Sequence, residues 1–372
     1  MRYLLSVFIL LFAPLAVAQA PSQQDLLDRV AANPADGAAR LALAELDFAA
    51  RRDQSAEFNA RQALASELTR EQAARARDIL AGLQRRRTWI SNADFAFAPE
   101  TTRTVLRDLD PSNGRSDDVI TETQSSGVGV VGFGSIEHRA RLGEDTRWSS
   151  EAVLNAEVFG DSEFNDLTLT LLTGPLFLGD GDDRTGVRAL VQQRWFGGEV
   201  DFTAYGAQVF AQRALSDRVR AFGRITVRDV DYDRFNGRDG QTYGLDGSIS
   251  RFGLSGRFEQ VFGLVFRNQA EASNQSFWFG RVGAGAFREV GFGLGVLVQP
   301  TLAWQGFDGV DPVGGKARED VTAALTVRTV KRDWRLWGSS PYLSVRAERR
   351  NSNIDLFDED DVTLQAGFTR TF

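Results

Sequence analysis

The sequence predicts an all-β transmembrane barrel of about 14 antiparallel strands behind a small α-helical domain, and three observations carry that expectation. Apolar and polar residues alternate with a period of two from about residue 88 to the end of the chain, as strands with one wet and one apolar face require. Glycine (36 residues), phenylalanine (27) and tryptophan (7) are abundant while cysteine is absent, a balance that suits a wall between lipid and water better than a soluble core. The connections between the alternating segments are alternately short and long, which matches the short turns and long loops of a barrel fixed in a membrane.

The elements follow in chain order. Met1-Arg2 opens a short basic start, Leu4 to Leu15 is an apolar run, and Ala16-Val17-Ala18 offers the small residues a signal peptidase reads, so residues 1–18 are expected to be a cleaved leader. The run falls short of the roughly twenty apolar residues a spanning helix needs. Removing Arg2 with the leader takes the net charge from −7 to −8, and a chain without basic excess is a poor partner for nucleic acid. With no Cys there is no lipid-attachment cysteine and no disulfide.

Residues 19–87 should form the helical domain. Four helices are expected over 22–32, 36–51, 54–66 and 69–86, with no Gly between Ala38 and Ala81 and Asn33-Pro34 marking the first turn. Ala44, Ala56 and Ala63 fall at the spacing of the small contact residues in a tetratricopeptide-like unit. A plain helical bundle is the alternative, since a solenoid normally needs three repeats.

Residues 88–372 should form the barrel. The alternation places strands over 88–98, 125–141, 147–159, 166–178, 185–196, 199–213, 218–231, 241–251, 254–267, 275–288, 291–306, 320–330, 341–350 and 361–372. Trp148, Ser150, Ala152, Leu154, Ala156 and Val158 face one way and Arg147, Ser149, Glu151, Asn155 and Glu157 the other. Arginine is hard to bury in a soluble sandwich but comfortable around a watery lumen. Arg218, Arg220, Arg224, Arg257, Glu259, Arg346 and Glu348 are therefore candidate lumen-facing residues. In the last segment Val362, Leu364, Ala366, Phe368 and Phe372 share the lipid side, and Phe368 and Phe372 are expected to serve as a barrel-assembly signal for the insertion machinery.

Little else in the chain suggests chemistry. Its one histidine, His138, shares the outward parity of Ile136 and Ala140, which leaves a hydrolase without an inward base. Acidic runs at Asp180, Asp182 and Asp183, at Asp229, Asp231 and Asp233, and at Glu359, Asp360 and Asp361 resemble calcium ligands in composition only. After Asp229 the sixth place is Arg234 and the twelfth Gly240, so no calcium loop is completed. No catalytic, cofactor or metal site is expected.

Certain stretches are more distinctive than alternation: A-D-F-A-F-A-P-E at Ala93 to Glu100, L-L-T-G-P at Leu171 to Pro175, R-R-N-S-N-I-D-L-F-D at Arg349 to Asp358, and the closing G-F-T-R-T-F. In these the chain resembles the surface lipoprotein assembly modulator family of outer-membrane proteins, though Glu100-Thr101-Thr102-Arg103 stands where the family commonly has Asn-rich sequence. The resemblance implies a translocator in the outer membrane, with helices in the periplasm, that delivers a client surface lipoprotein or secreted protein. A passive pore and an outer-membrane hydrolase are the alternatives.

Overall fold

The computed structural model of the protein describes residues 22–99, 128–179, 183–253, 257–334, 336 and 339–369. Four helices lead: α1 (Gln23–Ala32), α2 (Gly37–Ala49), α3 (Asp53–Leu64) and α4 (Arg70–Arg86). Their starts are written locally. Ser22 with Asp25, and Thr69 with Gln72, form reciprocal capping boxes, and the Asp36 carboxylate accepts from the Ala39 N–H. Their core is a cluster of Leu41, Ala44, Ala56, Ala60, Ala63, Leu64, Ala76, Ile79, Leu80 and Leu83. Small residues at the α2–α3 contact let the helices approach closely, and Ala44, Ala56 and Ala63 are fully buried there.

Fourteen strands follow: β1 (Trp89–Pro99), β2 (Val128–Arg141), β3 (Thr146–Val158), β4 (Asp166–Leu178), β5 (Arg184–Phe196), β6 (Glu199–Ala214), β7 (Val219–Tyr232), β8 (Gly240–Phe252), β9 (Phe258–Ala270), β10 (Phe277–Gly291), β11 (Leu294–Val310), β12 (Ala317–Lys331), β13 (Ser340–Ser352) and β14 (Glu359–Thr369). Each pairs antiparallel with its neighbour in sequence, and β1 also pairs with β14, so the sheet closes on itself. Closure gives each described strand a neighbour on both sides, the condition for a sheet to cross hydrocarbon. The predicted leader and Phe372 lie outside the described residues.

Burial identifies the two faces. Glu137, Arg139, Arg147, Ser149, Arg188 and Gln208 are buried on one parity, while Ile136, Leu154, Val187, Ile225, Leu245, Val261, Leu302 and Leu364 are exposed on the other. Polar side chains shielded from the exterior and aliphatic ones presented to it are the inverse of a soluble protein and the signature of a lipid-facing cylinder. The connections divide as the sequence suggests. One end carries turns such as 142–145, 215–218 and 292–293, and the other carries the longer loops. The exception on the loop end, Gly197-Gly198, makes a two-residue hairpin because both glycines take positive φ, 61° and 84°.

At 14 strands, about 4.8 Å apart and tilted about 40°, the backbone cylinder is roughly 28 Å across. That leaves room for a water-filled lumen once side chains line it.

Candidate functional site

The inner wall carries both signs of charge, mostly in pairs. Glu137 accepts from Arg139 (2.8 Å) and from the Ser149 hydroxyl (2.6 Å), while Arg188, 3.5 Å from Glu137, also pairs with Glu151. Arg194 bridges Asp166 (2.6 Å) and Asp201 (3.0 Å), and Arg224 pairs with Asp246 (2.7 Å). Arg228 reaches the Thr242 hydroxyl at 3.1 Å and bonds to Gln192 two strands away. Such pairing keeps long cationic side chains against the wall, so the lumen presents alternating charge rather than a single-sign field.

The candidate lumen residues separate into three groups. Ladder parity puts Arg220 and Arg224 on the inner side with Phe222 and Arg228, and Arg346 and Glu348 on the inner side with Ser344. Arg218 precedes β7 in a turn. Glu259 opposes Arg251 and Ala286 and shares the parity of Val261 and Val265, so it lies on the outer side, and Arg257, just ahead of β9, pairs with it at 3.0 Å. The expectation that these two face the lumen is corrected. The reason is that the inner side of β9 reads Phe258, Gln260, Phe262, Leu264 and Phe266, four apolar residues around a single polar one, which hides the usual contrast.

At the short-turn end the helical domain meets the barrel. Arg40 on α2, with its side chain only 2% exposed, donates to Glu289 near the end of β10 at 2.8 Å, and Arg332, just after β12, pairs with the other oxygen of that carboxylate. The Phe58 ring on α3 lies close to both guanidiniums, 5.7 Å from that of Arg40 and 4.2 Å from that of Arg332. Arg61 stacks over Phe252 at the end of β8 (5.6 Å), Arg77 forks onto Asp217 in the β6–β7 turn (2.9 and 2.6 Å), and Gln54 donates to the Ser91 carbonyl on β1 (3.2 Å). These anchor points are spread round the ring, on β1, the β6–β7 turn, β8, β10 and beyond β12. The helices thus bridge the opening instead of hanging from one edge. Burial pushes the Arg40 guanidinium down to about 10, still charged at neutral pH. The Arg77 and Asp217 groups shift apart through their mutual hydrogen bonds, Arg77 upward and Asp217 downward.

The seam is the second special feature. Among the described residues β1 and β14 share four paired positions, Asp94–Thr369 to Phe97–Ala366, whereas β13 and β14 share eleven. On the lumen side Asp94 accepts from the Tyr342 hydroxyl (2.7 Å) on β13 and from Arg328 (3.0 Å) on β12, reaching past β14. Gly367 makes that approach possible, because a Cβ there would lie 2.0 Å from the Phe95 carbonyl oxygen. On the lipid side Phe95 stacks on Phe368 at 5.6 Å.

The distinctive Arg349 to Asp358 stretch forms a hairpin tip. A short 3-10 turn follows Ile354, Asp358 accepts from the Ser352 N–H (2.7 Å), and Arg350 donates to the Phe357 carbonyl (3.0 Å). Three other loop-end hairpins close the same way, with Asn165 accepting from Phe159 N–H, Asp239 from Tyr232 N–H and the Ser276 hydroxyl from Ala270 N–H.

His138 lies on the outer parity with its ring centroid 4.5 Å from that of Trp89, and Asp229 and Asp231 also point outward. Among the described residues no three His, Cys, Asp or Glu side chains gather in a metal-binding cluster; Asp180 and Asp182 lie outside those residues. Sequence reasoning missed Arg40, Phe58, Glu289 and Arg332, and also the Asp94 set, although Asp94 stands out as a carboxylate within A-D-F-A-F-A.

Residues 101–372 match the family model described as surface lipoprotein assembly modifier. No match was found among curated proteins. The chain is similar to solved structures of a bacterial polysaccharide outer membrane secretin (8% identity, 76% of this chain and 98% of that one, TM-score 0.39) and of the outer membrane channel DcaP of Acinetobacter baumannii (8%, 76% and 96%, 0.41). It is also similar to a loop-deleted OmpT, an outer membrane protein of Vibrio cholerae (7%, 76% and 99%, 0.39).

Proposed function

The chain belongs to the surface lipoprotein assembly modifier family, and from that premise we propose that it spans a bacterial outer membrane and passes a client surface lipoprotein, or a related secreted protein, through its lumen to the exterior. The short turns and the helical domain then face the periplasm, since barrels keep their short turns on that side. A client arriving from the periplasm meets the helices first.

The observation that carries this reading is the bridged mouth. A passive diffusion pore works with a standing bore, whereas here α2, α3 and α4 are pinned across one opening by Arg40, Arg61 and Arg77. The two-signed wall suits an extended polypeptide. Its backbone groups stay hydrated, and paired charges such as Arg224–Asp246 offer weak contacts to either sign without trapping a segment. No residue in this reading works as a catalyst: His138 is turned towards the membrane beside Trp89. Phe368 and Phe372 act before transport, as the aromatic end of the strand that the insertion machinery receives.

Protease treatment of intact cells, with and without the gene, tests the proposal. A specific protein should vanish from the surface in the deletion strain and remain cell-associated. An unchanged surface profile removes the translocator reading, and steady ion conductance of the wild-type barrel with no client would favour a passive pore.

A further inference from the structure

We propose that the helical domain is a releasable plug and that the Arg40–Glu289–Arg332 node around Phe58 is its latch. The inference concerns the barrel's permeability and stands whether or not a client protein is carried.

Three observations lead there. First, the helices and the barrel share no apolar core among the described residues. The two clusters containing Leu26, Leu43, Leu64 and Leu83 are made of helical residues alone, and those containing Ala96, Tyr342, Leu176 and Phe210 of strand residues alone. Separation therefore exposes little hydrocarbon and is opposed chiefly by side-chain tips. Second, the helical domain is complete in itself, with two capping boxes and its own packed interior, so it can leave folded. A single chain crossing at Arg87-Thr88 then keeps it at the rim, where the Thr88 carbonyl accepts from Arg139 N–H at 2.7 Å.

Third, the node is the most enclosed of the contacts. Arg77 and Asp217 are each nearly half exposed and contribute little, whereas the Arg40 side chain is almost wholly covered and Glu289 answers two guanidiniums. A buried ion pair roughly balances its own desolvation, so the closed state is held without being irreversible. Removing the Glu289 charge leaves the Arg40 guanidinium buried without its counter-charge, which disfavours docking by a factor on the order of a hundred or more.

The experiment uses the full chain in planar lipid bilayers, with each variant first confirmed to be folded by its gel mobility before boiling. Glu289→Gln should raise the open-to-closed ratio about a hundredfold, and Glu289→Asp should stay near wild type. Because the chain has no cysteine, Arg77→Cys with Asp217→Cys can be joined by a reducible bis-maleimide without side products. Linked in the Glu289→Gln background, the barrel should close, and reductant should reopen it. If Glu289→Gln does not fold, the same link placed in the wild-type latch should abolish the rare openings and reductant should restore them. The proposal is overturned if folded Glu289→Gln conducts no more than wild type, or if linked protein conducts as freely as unlinked protein.

Discussion

Asp94→Ala offers the sharpest test of how the cylinder is closed. The substitution removes the acceptor for both the Tyr342 hydroxyl and Arg328, at the one seam whose described ladder is only four pairs long. Hydrogen bonds to an ionised group contribute about 1.5 to 3 kcal/mol each, and lumen water reaching Asp94 argues for the low end, giving about 3 kcal/mol for the two. With an unfolding entropy of about 2.1 cal/mol/K per residue, a barrel of roughly 280 residues loses about 0.6 kcal/mol per degree, so the midpoint should fall by about 5 °C. The assay is the temperature at which folded protein converts to the slower, unfolded gel band after a fixed heating time. Tyr342→Phe should shift it by about 2 °C, and the double variant should match Asp94→Ala rather than the sum, because both substitutions delete one shared bond. A shift under about 1 °C for Asp94→Ala, or full additivity, would refute the account of the seam.

Gly367→Val should prevent closure altogether, since even its Cβ would overlap the Phe95 carbonyl; the measure is loss of the fast-migrating unboiled band. Leu83→Ala, at a side chain 2% exposed in the helical core, should destabilise that domain by about 3 kcal/mol, seen as faster proteolysis before Trp89 with the barrel intact. Acid should melt the helices before the strands. Burial pushes the Glu57 carboxyl up, but Arg61 and Arg87 outweigh it and hold it at about 2, and the Ala39 N–H and Arg29 hold Asp36 low. A depressed carboxyl lends its stability above its unfolded value and loses it below, so the helical far-UV signal should be flat above pH 4.5 and decline as pH falls towards about 2. A helical signal constant across that window would contradict these ion pairs.

Much of the cylinder was legible in the sequence because a lipid-facing wall imposes one rule on every strand. Segments such as Arg147 to Val158 and Pro341 to Arg350 obey it plainly, and their predicted faces match the ladders. The rule failed on β9. There Phe262 and Phe266 face inward, the contrast between faces vanishes, and Arg257 and Glu259 lie on the side opposite to the one the alternation predicts. The plug was illegible for another reason. Helical periodicity states which face of α3 is apolar but not what lies beyond it, and Arg40 meets Glu289 across 249 residues of sequence. Asp94 gave a visible signal, a carboxylate among phenylalanines, but its partners Arg328 and Tyr342 sit on strands that are distant in the chain and come within reach, across β14, only after closure.

The hairpin tips on the loop side have a mechanical consequence. In four of them a side chain following a 3-10 turn is tied to the backbone N–H of its own incoming strand, so each tip is a braced arch. Force applied to one of these four tips passes into the staves instead of bending it. The opposite rim is held shut by guanidinium groups at the ends of long, pliant stems, and it yields first. Among the described residues the firmest tips and the most pliant contacts thus lie at opposite ends, and that inequality gives the cylinder a direction.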